Sequence, residues 1–119
     1  MSLDWKIEER PSVERDLDQI FDHAVAAALG HGYGPDEAVA MAAARLTRIA
    51  RARDRLARTP YIGTRRIIDG FEYRNVTLER CVLWFTLDED RQVITLEGIF
   101  HGGQDHAATM FSRLGAEGD

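Results

Sequence analysis

The stretch Arg80-Cys81-Val82-Leu83-Trp84-Phe85-Thr86-Leu87-Asp88 decides the fold. It is rich in β-branched and aromatic residues, and its centre, Val82 to Phe85, is apolar at both odd and even positions. Successive side chains of a strand point to opposite faces, so both faces of this one must be covered. The stretch therefore reads as a central strand, covered on one side by helices and partly on the other.

Working outward, β-branched runs on either side are broken by turn residues. Strands are expected at Arg65 to Asp69, Phe71 to Val76, Arg80 to Leu87 and Gln92 to Phe100. Asp69-Gly70 and Asp88-Glu89-Asp90 are the clearest turns, and such short connections imply an antiparallel meander. Thr59-Pro60 separates this half from a helical one, since proline disfavours helix in the residue before it.

Upstream, Pro11 suits a first helical turn, and Val13, Leu17, Ile20, Phe21, Ala24 and Ala28 recur at spacings of three and four. Gly30-His31-Gly32-Tyr33-Gly34-Pro35 reads as a turn between helices. A second helix over Pro35 to Arg58 carries Ala38, Ala42, Leu46, Ile49, Ala52 and Leu56 on one face. The two helices form an antiparallel hairpin packed on the sheet. A short strand near Trp5 to Glu9 precedes them, and Ala107 to Leu114 suggests a terminal helix capped by Asp105 and oriented by His101. Gly115 to Asp119 is expected to fray.

A length of 119 residues with 45% hydrophobic, 8% aromatic and 29% charged residues fits one folded domain over 1–119. The formal net charge of -5 at pH 7 excludes a general nucleic-acid coat, because phosphate binding would have to come from local patches. The lone cysteine, Cys81, excludes an internal disulfide and a cysteine-rich zinc site, and reads as inert core. No stretch approaches the roughly 20 apolar residues of a membrane span, and the first residues do not resemble an export signal. A cytoplasmic location is the expectation.

Several landmarks together resemble the RelE/ParE toxin superfamily and its plasmid-stabilisation relatives. They are Ser12 to Ile20 in the first helix, the Leu56 to Gly63 exit from the second, and the Arg80 to Asp88 strand. The fourth, Val93 to Asp105, ends in His101, small residues and Asp105 and is most like the ParE branch. The resemblance covers roughly Trp5 to Asp105. It implies an α+β fold of β-α-α-β-β-β order, with the helical hairpin on an antiparallel-rich sheet. It also implies a bacterial toxin neutralised by a cognate antitoxin protein. ParE-like members are associated with blocking DNA gyrase, and RelE-like members with cleaving messenger RNA on the ribosome. The leading expectation is a gyrase-binding toxin, with no cofactor, no membrane partner and no direct nucleic-acid contact. The alternatives are a RelE-type endoribonuclease, or a non-toxic relative that keeps only antitoxin binding. A homodimer of the isolated chain is a further expectation, because the antitoxin would leave apolar surface behind.

RNA cleavage needs a base for the 2′-hydroxyl, a cation for the phosphate and an acid for the leaving oxygen. Arg65, Arg80 and His101 are the candidates, with Arg66 and Arg74 as further phosphate contacts. The chain has one lysine, Lys6, and no tyrosine after Tyr73, which departs from RelE-like toxins. In the leading reading no residue is catalytic, and Arg48, Arg55, Arg66, Arg74, His101 and Asp105 form the target- or antitoxin-binding set. Arg48, Arg51, Arg55 and Arg58 lie along one side of the second helix. They suit either an acidic partner or a solvated helix C-terminus. Arg45 falls among apolar residues and must snorkel or find a carboxylate, with Asp16, Asp18 and Asp22 as candidates. His101, Asp105 and His106 lack a fourth ligand and a fixed spacing, so no metal site is expected.

Overall fold

A computed structural model describes residues 4–102 and 105–117. Its elements run β1 (Lys6–Glu9), α1 (Ser12–Gly30), α2 (Pro35–Arg58), β2 (Thr64–Ile68), β3 (Phe71–Leu78), β4 (Cys81–Asp88), β5 (Val93–His101) and α3 (His106–Glu117). The five strands form one sheet in the order β1-β5-β4-β3-β2. β2 to β5 are the expected antiparallel meander, while β1 pairs parallel to β5, with Lys6 opposite Val93 and Glu9 opposite Leu96.

Turn chemistry sets the registers. Ile68 faces Phe71 across a two-residue loop in which Asp69 and Gly70 both take positive φ, 52° and 82°. Two-residue hairpins favour this geometry because it matches the twist of the strands. The β3–β4 loop is built the same way from Glu79 and Arg80, at φ 50° and 62°. Neither residue type signals such a turn. In the β4–β5 loop the Arg91 N–H donates to the Asp88 carboxylate at 3.1 Å.

α1 ends where His31 has left the helical region and its N–H reaches the carbonyls of Ala27 and Ala28. Pro35 then opens α2, with Asp36 and Glu37 in the first turn and Arg55 and Arg58 in the last, each sign complementing the helix dipole.

Two cores flank the sheet. The hairpin buries Val13, Ile20, Ile49, Ala52 and Leu56 against Leu83, Phe85, Ile94, Leu96 and Ile99. On the other face α3 closes over Val82, Trp84 and Phe100 with Met110. β4 is thus covered on both sides, as its apolar centre requires. The Trp84 Nε1–H donates to His106 Nδ1 at 3.0 Å, which gives the one polar atom of this buried ring a partner.

Asp105 accepts from the Ala108 N–H at 3.3 Å and so caps α3, as expected. One expectation is corrected. His101 does not orient α3: strand alternation turns it to the hairpin face, where its ring stacks on His23. α3 includes Gly115 and runs to Glu117; Gly118 and Asp119 lie outside the described residues. Among the described residues no helix is long and apolar enough to cross a membrane.

Candidate functional site

A groove of about 710 Å³ lies where the helical hairpin meets the end of the sheet. α1 supplies His23, Ala24, Ala27 and Ala28, and the inter-helix turn supplies His31 and Tyr33. α2 adds Met41, Ala44, Arg45 and Arg48. The sheet closes the groove with Arg80 from the β3–β4 turn and His101 and Gly102 from the end of β5. Cys81 and His101 are register partners on neighbouring strands, which places Arg80 beside His101.

Three of the chain's four histidines and three arginines therefore line one groove, and none of its lining residues is a carboxylate. His23 and His101 stack face to face, 4.4 Å between centroids and 6° from parallel. Partial burial holds His101 below the usual histidine range, with His23 and the Arg45 guanidinium adding to the effect by disfavouring a further positive charge. The His31 Nδ1–H donates to the Ala27 carbonyl at 2.7 Å, fixing that ring at the mouth of the groove.

Arg45 corrects an expectation. It finds none of Asp16, Asp18 or Asp22; its Nη2 donates to the Arg80 carbonyl at 3.3 Å and to Cys81 Sγ at 3.4 Å. Asp16 is engaged elsewhere, 5% exposed and held by Arg113 of α3. Arg45 thus snorkels along the apolar face and delivers its charge to the groove.

The other arginines separate. Arg51, Arg55 and Arg58 line a second, smaller depression of about 210 Å³ with Leu78 and Glu79, away from Arg48. Arg65 is exposed on β2 and paired with Glu72 at 2.5 Å. Arg66 is exposed on the opposite face of the same strand. Arg74 donates to the Tyr61 carbonyl at 2.8 Å and lies 5.7 Å from the Tyr61 ring centroid.

The alternative catalytic set is therefore only half assembled. Arg80 and His101 share the groove. Arg65 stands three strands from His101 and five residues out of step with it, roughly 20 Å away by sheet geometry. Gly103 and Gln104 of the strand-ending motif lie outside the described residues. Among the described residues no three metal-ligating side chains converge; His106 faces Trp84 on the α3 side of the sheet and His101 faces the hairpin. His23 had no place in the reading of the sequence. Only the fold brings it to His101.

The architecture, a helical hairpin on a mostly antiparallel five-stranded sheet entered through a parallel first strand, is a fold shared with solved structures. Among solved structures, the chain matches one from the chromosomal ParDE TA system of P. aeruginosa with a TM-score of 0.57. The two are 21% identical, and the match covers 84% of this chain and 98% of the other. A second match is to the RelBE2 toxin–antitoxin complex of Mycobacterium tuberculosis, at TM-score 0.45 and 15% identity, covering 83% and 99%. No protein-family model matches the sequence, and no curated protein matches it.

Proposed function

We propose that this protein is the toxin component of a type II toxin–antitoxin system, neutralised in the cytoplasm by a cognate antitoxin and acting by binding and inhibiting DNA gyrase. The observation that carries this reading is the fold, shared over 84% of the chain with a protein of a ParDE system. Binding rather than chemistry is favoured by the separation of Arg65 from Arg80 and His101, which leaves the cleavage set without one of its members.

Three surfaces suit protein partners. β2 is an edge strand whose outer backbone is open, flanked by Ile67 and Phe71 at 64% and 68% exposure. Arg66 stands on the same edge, while Arg48 and His101 face the groove and Arg55 faces the smaller depression. An acidic antitoxin segment would meet positive charge at each place.

The test is a DNA gyrase supercoiling reaction with added protein, against a heat-denatured control. Inhibition or trapped cleaved plasmid is expected. Unaffected gyrase, with the protein shown to be folded, sinks the gyrase reading. The runner-up, a ribosome-dependent endoribonuclease, draws on the adjacency of Arg80 and His101. It requires toxicity in cells to be lost in a folded His101→Gln variant.

A further inference from the structure

We propose that the groove between the helical hairpin and the end of the sheet binds a phosphate-bearing small molecule of nucleotide size. The inference does not depend on the toxin reading, because it rests on the lining of the groove alone.

Charge is the first argument. Arg45, Arg48 and Arg80 enter from two sides, none is paired with a carboxylate, His101 stacks on His23 beside Arg45, and His31 lies toward the inter-helix turn. In a chain of net charge -5 this is a local reversal of sign that the rest of the fold does not need. Guanidinium groups are the side chains best matched to phosphate oxygens.

The stacked imidazoles are the second. His101, partly buried beside His23 and Arg45, carries a proton poorly on its own. A phosphate dianion placed over the edges of the stacked rings favours the protonated form of His101 and turns its ring into a donor. A metal cation is disfavoured by the same arginines, and no third ligand converges among the described residues.

Shape is the third. Besides these polar groups the groove is walled by Ala24, Ala27, Ala28, Tyr33, Met41 and Ala44. These small and flat apolar side chains leave room for a planar group beside the phosphate. The volume of about 710 Å³ lies within the range of small-molecule sites.

Histidine ring resonances of the folded protein, followed by NMR, provide the test with AMP as the probe. Shifts of the His23 and His101 rings are expected to saturate below about 10 mM AMP, which would nearly fill a site of about 1 mM Kd. The titration midpoint of His101 should rise when AMP is bound. His23→Gln and Arg80→Gln, both exposed positions, should weaken binding at least about tenfold together while leaving the fold unchanged by circular dichroism. Inorganic phosphate should bind the same residues at least about tenfold more weakly than AMP, and adenosine should not bind. The proposal is overturned by an absence of saturable shifts, by an unmoved His101 midpoint, or by AMP affinity retained in the double variant. Phosphate binding as tightly as AMP removes the nucleotide-sized part, and adenosine binding as tightly removes the phosphate part. A glutamate-rich peptide acting at lower concentration than AMP would instead assign the groove to a protein's carboxylates.

Discussion

Arg113 of α3 lays its two terminal guanidinium nitrogens against the two carboxylate oxygens of Asp16 of α1, at 3.0 and 3.1 Å. β1 stops opposite Leu96, so the edge of β5 beyond it has no strand partner. There the Asp16 carboxylate accepts the Ile99 N–H at 3.1 Å. The same guanidinium reaches the Glu97 carbonyl at 3.3 Å and stands 5.2 Å from the centroid of the Phe100 ring. One ion pair thus ties together three elements on both sides of the sheet. Arg113→Ala should cost about 3–5 kcal/mol by urea denaturation, because it leaves a buried carboxylate with only a backbone partner. Asp16→Asn with Arg113→Met should cost less than the two single changes summed, since it strands no charge. A loss under about 1 kcal/mol in Arg113→Ala would mean that water compensates the carboxylate.

Gly63 sits between α2 and β2 at φ +92°, and a β-carbon there would run into the Asn75 carbonyl of β3. Backbone cannot move aside as a flexible side chain can, and the left-handed conformation strains any other residue. Gly63→Ala should therefore destabilise by about 2–3 kcal/mol and lower the thermal midpoint. Gly70 also has positive φ but opens onto empty space. Gly70→Asn in that turn should cost under about 1 kcal/mol, and equal losses at the two positions would refute the packing account.

The elements were legible because their periods are strong. Val13, Ile20 and Ala28 reach the core at helical spacing, and the doubly apolar centre of β4 is buried on both faces. The Asp69-Gly70 turn carries its own signal. Glu79-Arg80 adopts the same positive φ without one, because strand pairing on both sides imposes it. The polar site was less legible. His23 and His101 meet only through packing of α1 on β5, and Asp16 is joined to an arginine 97 residues away. Such pairs leave no spacing in a single sequence. Arg45 stands out in the sequence as a charge on an apolar face, but its partners are a carbonyl and a thiol, which charge matching does not suggest.

Cys81 is fully buried, and burial raises its pKa above the ordinary 9.0, partly opposed by the nearby Arg45 guanidinium, while Glu79 adds to the rise. Only the thiolate attacks disulfide reagents, and here it is both disfavoured and out of reach. In native protein at pH 8 the thiol should react with a chromogenic disulfide at least about 100-fold more slowly than in urea. Arg45→Gln removes the opposing charge and should not speed the native reaction. A native thiol that reacts as fast as the unfolded one would show that the strand opens readily at this end.

His101 gives stability a pH dependence whose sign follows from its depressed pKa. The ordinary value is 6.5, and burial, then His23, then Arg45 hold the folded ring below it. Between the two values the unfolded chain binds the proton more readily, so stability rises with pH across that window. The contribution is complete above about pH 6.5 and is lost as pH falls through the folded value. Urea midpoints should therefore fall between pH 7.5 and pH 5.5 in the wild type, and less steeply in His101→Gln. His23→Ala removes the second cause but not the burial, so its slope should lie between the two. If wild type and His101→Gln lose stability in parallel, the dependence belongs to other groups and the stacked pair exerts no electrostatic penalty.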